Sequence, residues 1–322
     1  MWEYGGRDID LIKIDAEGEE AAIVRGGAAF WRDQSPLVQY EVKAGRTLHL
    51  ELVQTFAEIG YAPYRLVPGL DLLVPFDPRG EVDGYLLNLY ACKPDRAAAL
   101  AARGHLVPAE DAADTAARRI APELDALASD ARYAWPAQLA LLPYGKALAA
   151  VWGRSAAQGD RATVEQALAL HAMASDAELS SAWRYHALRQ SLSTLLQVCR
   201  AAPAFARLLS LARVARAFGA RALATNALNA VAVGGAQNQP FDTREPFLAA
   251  SRRFDALDPR DTLGQWLLGS VLEELERNAA FSSFYTGPNA VQRLELIAQL
   301  GFGSAEMQRR LELVRKRYAR AG

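Results

Sequence analysis

The stretch "DLIKIDAEGEEAAIVRGGAAFW", Asp10 to Trp31, decides how the first third of the chain is read. "DLIKID" (10–15) is a short strand with apolar residues on both faces, the pattern of a buried parallel strand. An acidic turn follows, "AEGEE". A helix over 19–31 then carries Ala22, Ile23, Gly26, Ala29 and Phe30 on one side. Strand, acidic turn and helix in this order build one edge of a ligand site, because open α/β sheets bind ligands just beyond the carboxyl ends of their strands.

Working outward, the alternation continues to about residue 95. "PLVQYEV" (36–42) is a second strand, opened by a proline at a position that needs no ladder donor. An amphipathic helix over 46–60 presents Leu48, Leu52, Phe56 and Ile59, with Gly60 placed to end it. "LDLLVPF" (70–76) and "YLLNLYACKP" (85–94) are two further strands, joined through a Pro/Gly turn and expected to pair antiparallel.

Beyond residue 96 the strand signals stop. Alanine and leucine recur every three or four residues, predicting helices at 118–130, 136–153, 160–173, 177–200, 203–217, 219–233, 244–254, 260–277, 288–299 and 304–320. The segment 203–233 has the small-residue spacing and central glycine of a tetratricopeptide-like hairpin, but no strict period repeats. The fold class is therefore α/β followed by all-α, with an irregular helical array. The domain limits are expected at 1–96, a linker over 97–117, and a helical domain over 118–322.

Composition narrows the function. The 322 residues are 51% hydrophobic and 23% charged, a globular balance with net charge −1. Neither nucleic acid nor an anionic membrane is suggested as main partner, and the basic helix near the C-terminus reads as a solvated face. Cys92 and Cys199 lack partners at metal or redox spacing and fit a reducing, cytoplasmic setting. The opening residues are polar and no apolar run approaches a membrane span of about 20 residues. His49, His105, His171 and His186 show no metal-binding spacing, and no metal is expected.

Candidate chemistry concentrates in "IDAEGEE". Asp15 ends its strand, Glu17 follows on the loop, and Gly18 permits a tight turn, while Glu19 and Glu20 suit the positive end of the helix. Glu41 ends the second strand at the matching position. In a parallel pair Asp15 and Glu41 open onto one crevice, where carboxylates can orient a sugar hydroxyl and accept its proton. Asp15 has no cation beside it in this reading. His49 lies near the crevice, with a smaller claim to a role.

These residues, with "SPLVQYEVK" and "NLYACKP", resemble the FkbM family of S-adenosylmethionine-dependent methyltransferases. Lys13, Asp15, Glu17, Gly18, Glu20, Gly26 and Glu41 fall at the spacing of its signature, and the resemblance spans about residues 8–96. It implies a partial class I methyltransferase sheet (Rossmann-like), and O-methylation of a carbohydrate or similar small hydroxylated metabolite. Asp15 and Glu17 would position the acceptor, with Glu41 in support or as base. The implied cofactor is S-adenosylmethionine, yet the Gly-rich loop and ribose-binding acid of the family have no counterpart upstream of Asp15. The expectation is thus a chain that begins inside the domain, at its fourth strand, inactive and weak in cofactor binding by itself. The alternative is a non-catalytic helical interaction module, meeting a protein partner and carrying a methyltransferase remnant.

Overall fold

The computed structural model describes residues 9–16, 18–44, 47–154, 160–237, 241–280, 287 and 290–318. The chain divides into two compact units, Met1–Pro122 with Ala174–His186, and Glu123–Met173 with Ala187–Gly322.

The first unit holds a mixed five-stranded sheet. Its strands are β1 (Leu11–Ile14), β2 (Leu37–Glu41), β5 (Ala62–Val67), β6 (Leu72–Pro75) and β7 (Asn88–Cys92). A separate small hairpin is made by β3 (Lys43–Ala44) and β4 (Thr47–Leu48). The sheet order is β1-β2-β7-β5-β6, with β1 and β2 parallel and every other neighbour antiparallel. The last strand, β7, is inserted between β2 and β5. The expected pairing of 70–76 with 85–94 is corrected: β7 pairs with β2 and β5, while β6 pairs with β5. β5 itself went unread, because Pro63 argues against an interior strand. It sits at the start of β5, where its carbonyl still accepts from the Phe76 N–H at 3.1 Å.

Side-chain alternation splits β2 between two faces. Val38 and Tyr40 enter a core with Ile14, Val24, Trp31, Phe56 and Leu89, whereas Leu37 packs on the opposite side with Tyr64, Leu73, Leu100 and Leu106. The helix expected over 19–31 is broken into α1 (Glu20–Gly26) and α2 (Ala28–Asp33). The break falls at Gly27, where a Cβ would stand 2.7 Å from Trp31 Nε1, so the tight approach of Trp31 requires glycine. The next helix, α3 (Glu51–Glu58), starts later than expected because residues 43–48 form the hairpin first. β1 pairs on one side only among the described residues, and Leu11 is 57% exposed, so this strand is an edge and not a doubly buried one.

Over 97–117, where a linker was expected, α4 (Pro94–Ala102) and α5 (Ala109–Ala112) form, and Leu106 and Val107 are buried. Leu73 donates to His105 O and accepts from Val107 N–H, both at 2.9 Å, which draws this stretch onto β6.

From here the described chain is helical: α6 (Asp114–Ala128), α7 (Trp135–Gln138), α8 (Pro143–Arg154), α9 (Asp160–Ala174), α10 (Ser181–Ala201), α11 (Phe205–Phe218), α12 (Arg221–Ala236), α13 (Leu263–Ala279), α14 (Ala290–Gln299) and α15 (Ala305–Tyr318). The α11–α12 hairpin turns at Gly219, whose φ of 92° suits glycine. The helix expected over 136–153 is two, since Pro143 starts a new one and its ring could not continue the old.

The helix expected over 244–254 is absent. Phe247 to Ser251 run buried and non-helical, ending in a single 3₁₀ segment, Arg252–Ala256. A buried segment outside regular structure must find partners for its backbone. Tyr144 Oη donates to Phe247 O at 3.1 Å, Arg213 to Ala249 O at 3.0 Å, and Leu248 N–H donates to Ser210 Oγ at 3.0 Å. Side chains of the helices thus replace the ladder that a helix would have supplied. The aromatic residues Tyr144, Trp152 and Trp266 are fully buried and pack edge to face or tilted in this core, so they are structural. The aromatic run 281–286 lies outside the described residues.

Candidate acceptor site at the ends of two strands

Two residues apart on one strand, Lys13 and Asp15 share a face, opposite to Ile12 and Ile14 in the core. The parallel register pairs Ile14 with Tyr40, which brings Asp15 beside Glu41. The antiparallel register then adds β7, pairing Glu41 with Asn88 and Gln39 with Tyr90. A polar face therefore gathers at the carboxyl ends of β1 and β2, behind the aromatic core. It comprises Lys13, Asp15, Gln39, Glu41 and Asn88.

The charges there are unequal. Lys13 Nζ lies 2.6 Å from Asp15 Oδ2, so Asp15 does have a cation beside it, contrary to the expectation from sequence. The i, i+2 period of the strand was the signal for this pair. The Lys13 ammonium holds the Asp15 carboxyl below its ordinary range, and Asp15 in turn raises Lys13. Glu41 moves the other way. Burial pushes it up first, and the negative charge of Asp15 pushes it further. Asp15 and Glu41 are thus shifted in opposite directions, the one held down by Lys13 and the other pushed up by burial and by the charge of Asp15.

The acidic turn is fixed from within. Glu20 is buried, and its two carboxylate oxygens accept from Ala16 N–H at 3.0 Å and Gly18 N–H at 2.9 Å. Gly18 makes the turn with φ of 110°. Glu20 thus pins the loop that follows Asp15, and no side chain caps α1 at Glu19. Glu17 lies outside the described residues. His49 sits beyond the hairpin, 43% exposed, with Nδ1 2.9 Å from Glu51 Oε1. No distance joins it to Asp15 or Glu41.

The other titratable candidates are buried and inert. Burial lifts the Cys92 thiol to about 12 and the Cys199 thiol to about 11, and lowers His171 to about 3. Among the described residues no group of three or more His, Cys, Asp and Glu is placed to hold a metal ion. The described residues show no Gly-rich turn beside β1 to cradle S-adenosylmethionine, and Glu20 already takes the Ala16 and Gly18 N–H groups that follow the strand.

Residues 1–63 match the methyltransferase FkbM domain. The FkbM match includes β1, β2 and α1 to α3 and stops at the start of β5. It supports a methyltransferase, with a small-molecule acceptor. No curated protein and no solved structure matches the chain. Among the described residues no helix is long and apolar enough to cross a membrane.

Proposed function

We propose that the FkbM segment is the acceptor side of an S-adenosylmethionine-dependent O-methyltransferase acting on a hydroxyl of a carbohydrate or similar metabolite. The observation that carries this is the Asp15–Glu41 pair, one carboxyl lowered and its neighbour raised at the ends of parallel strands. Two environments that push neighbouring acids apart divide their tasks. Asp15, held as an anion by Lys13, accepts hydrogen bonds from the acceptor and orients it, a task the family resemblance extends to Glu17. Glu41, the stronger base once deprotonated, would take the proton of the acceptor hydroxyl, and S-adenosylmethionine would supply the methyl group from its sulfonium. Gln39 and Asn88 add neutral hydrogen-bonding groups on the same face, as polyhydroxylated ligands need. The family implies S-adenosylmethionine as the donor. The described residues make no cradle for it, so the assignment concerns the acceptor alone.

The test is acceptor binding by the full chain. Saturation-transfer NMR against a panel of pyranosides should find ligands whose ring protons receive saturation, and Asp15→Asn and Glu41→Gln should each weaken the signal. A panel that gives no transfer, or transfer unaffected by either change, would remove the proposal.

A further inference from the structure

The second unit contains a cavity of about 500 Å³ among α11, α12, α13 and α14. Every described residue lining it is apolar or glycine. Its floor is buried, at Leu209, Leu267 and Val271. At Gly235, Gly264 and Leu296 the lining is exposed, which gives the cavity a mouth.

Helical cores pack to crystal density and leave few voids larger than a water molecule. A void of this size falls within the range of small-molecule sites, about 300–1,000 Å³. Water does not fill it well, because a buried water needs two to four polar partners and the described wall has no polar side chain. Among the described residues no charged group lines the floor, so an ionic or sugar-like ligand would be stripped of solvent there without compensation. We infer that this cavity binds a hydrocarbon-chain ligand, of the class of a single fatty acyl or alkyl chain, with its apolar tail on Leu209 and Val271 and its polar end at the mouth. This site is separate from the strand-end acids and does not depend on the methyl-transfer proposal.

The glycines make the inference testable. A Cβ added at Gly264 or Gly235 meets no heavy atom within 4 Å, so side chains can be grown there without a clash at the backbone. The experiment titrates the full chain with cis-parinaric acid, a polyene fatty acid that fluoresces in apolar surroundings, and displaces it with dodecanoate. Saturable binding of one molecule per chain is expected. Ala232→Phe, on the α12 wall, and Gly264→Phe, at the mouth, should each weaken it at least tenfold with the melting temperature unchanged or raised. Val233→Ser, 57% exposed and outside the lining, should bind as the parent does. Absence of saturable binding overturns the proposal. So does binding that survives Gly264→Phe, the variant placed in open space, whether or not Ala232→Phe folds. Dye retained by Gly264→Phe but lost by Val233→Ser would place the site on the outer surface and contradict the cavity.

Discussion

Two clusters of carboxylates, one in each unit, show how the same residue type is put to opposite uses. In the helical unit Glu273 and Glu276 are fully buried, and each is answered by guanidinium groups. Glu273 receives Arg253 at 2.8 and 2.7 Å and Arg277 at 2.9 Å. Glu276 receives Arg293 at 2.6 Å and Arg310 at 3.6 Å. At the strand ends, Glu41 is partly buried beside another acid, and the Lys13 ammonium is engaged by Asp15. Buried and paired, a carboxylate holds helices in register. Partly buried and crowded, it holds its proton to higher pH than an ordinary carboxyl. What answers an acid, more than where it lies in the sequence, decides which of these it does.

The contrast can be broken first where the effect is largest. Glu273→Gln removes a buried charge and takes the carboxylate from Arg253, while Arg277 keeps Glu306 at 2.9 Å. It should cost about 3 kcal/mol by urea unfolding, at the low end for a broken buried pair, since both arginines keep some exposure. Glu20→Gln is next. An amide retains one acceptor for the two N–H groups of Ala16 and Gly18, so about 1–2 kcal/mol is expected, read from the same denaturation curve. No loss would mean that the turn holds without its pin.

Smaller effects sharpen the other side. Asp15→Asn should weaken binding of a pyranoside acceptor about tenfold, near 1.4 kcal/mol, with little change in stability. Equal losses of binding and stability would place Asp15 with the structural carboxylates. The smallest expected effect is a null one. Calorimetry of the full chain with S-adenosylmethionine should show no micromolar binding, because Glu20 holds the donors after β1; a clear micromolar isotherm would contradict that reasoning.

The parallel register made Asp15 and Glu41 legible before any coordinates, since two strand-end acids on adjacent parallel strands must share a crevice. The four helices expected over 160–233 were legible too, with limits that moved by up to four residues, as where 177–200 became Ser181–Ala201. What escaped depended on contacts between distant residues. The split at Gly27 reflects the packing of Trp31, and the extended run 247–251 exists because Tyr144, Arg213 and Ser210 satisfy it. The Lys13–Asp15 pair was present in the strand's period, although the lysine was read only as part of the family signature. The charge asymmetry between Asp15 and Glu41 comes from burial, which periodicity alone does not weigh.

Glu41 carries the central claim, and its titration tests it most directly. Its folded pKa is raised above the ordinary value of 4.5, so its contribution to stability is complete below that value and is lost as pH rises through the folded pKa. Glu41→Gln should therefore match the parent in acid and equal or exceed it in stability at neutral pH. The decisive measurement is carbon-detected NMR of the Glu41 carboxyl across pH. A midpoint above 4.5 is predicted, falling in Asp15→Asn but not returning fully, because burial is the larger cause. A midpoint at or below 4.5, unmoved by Asp15→Asn, would show that the two acids neither share a proton nor form a site.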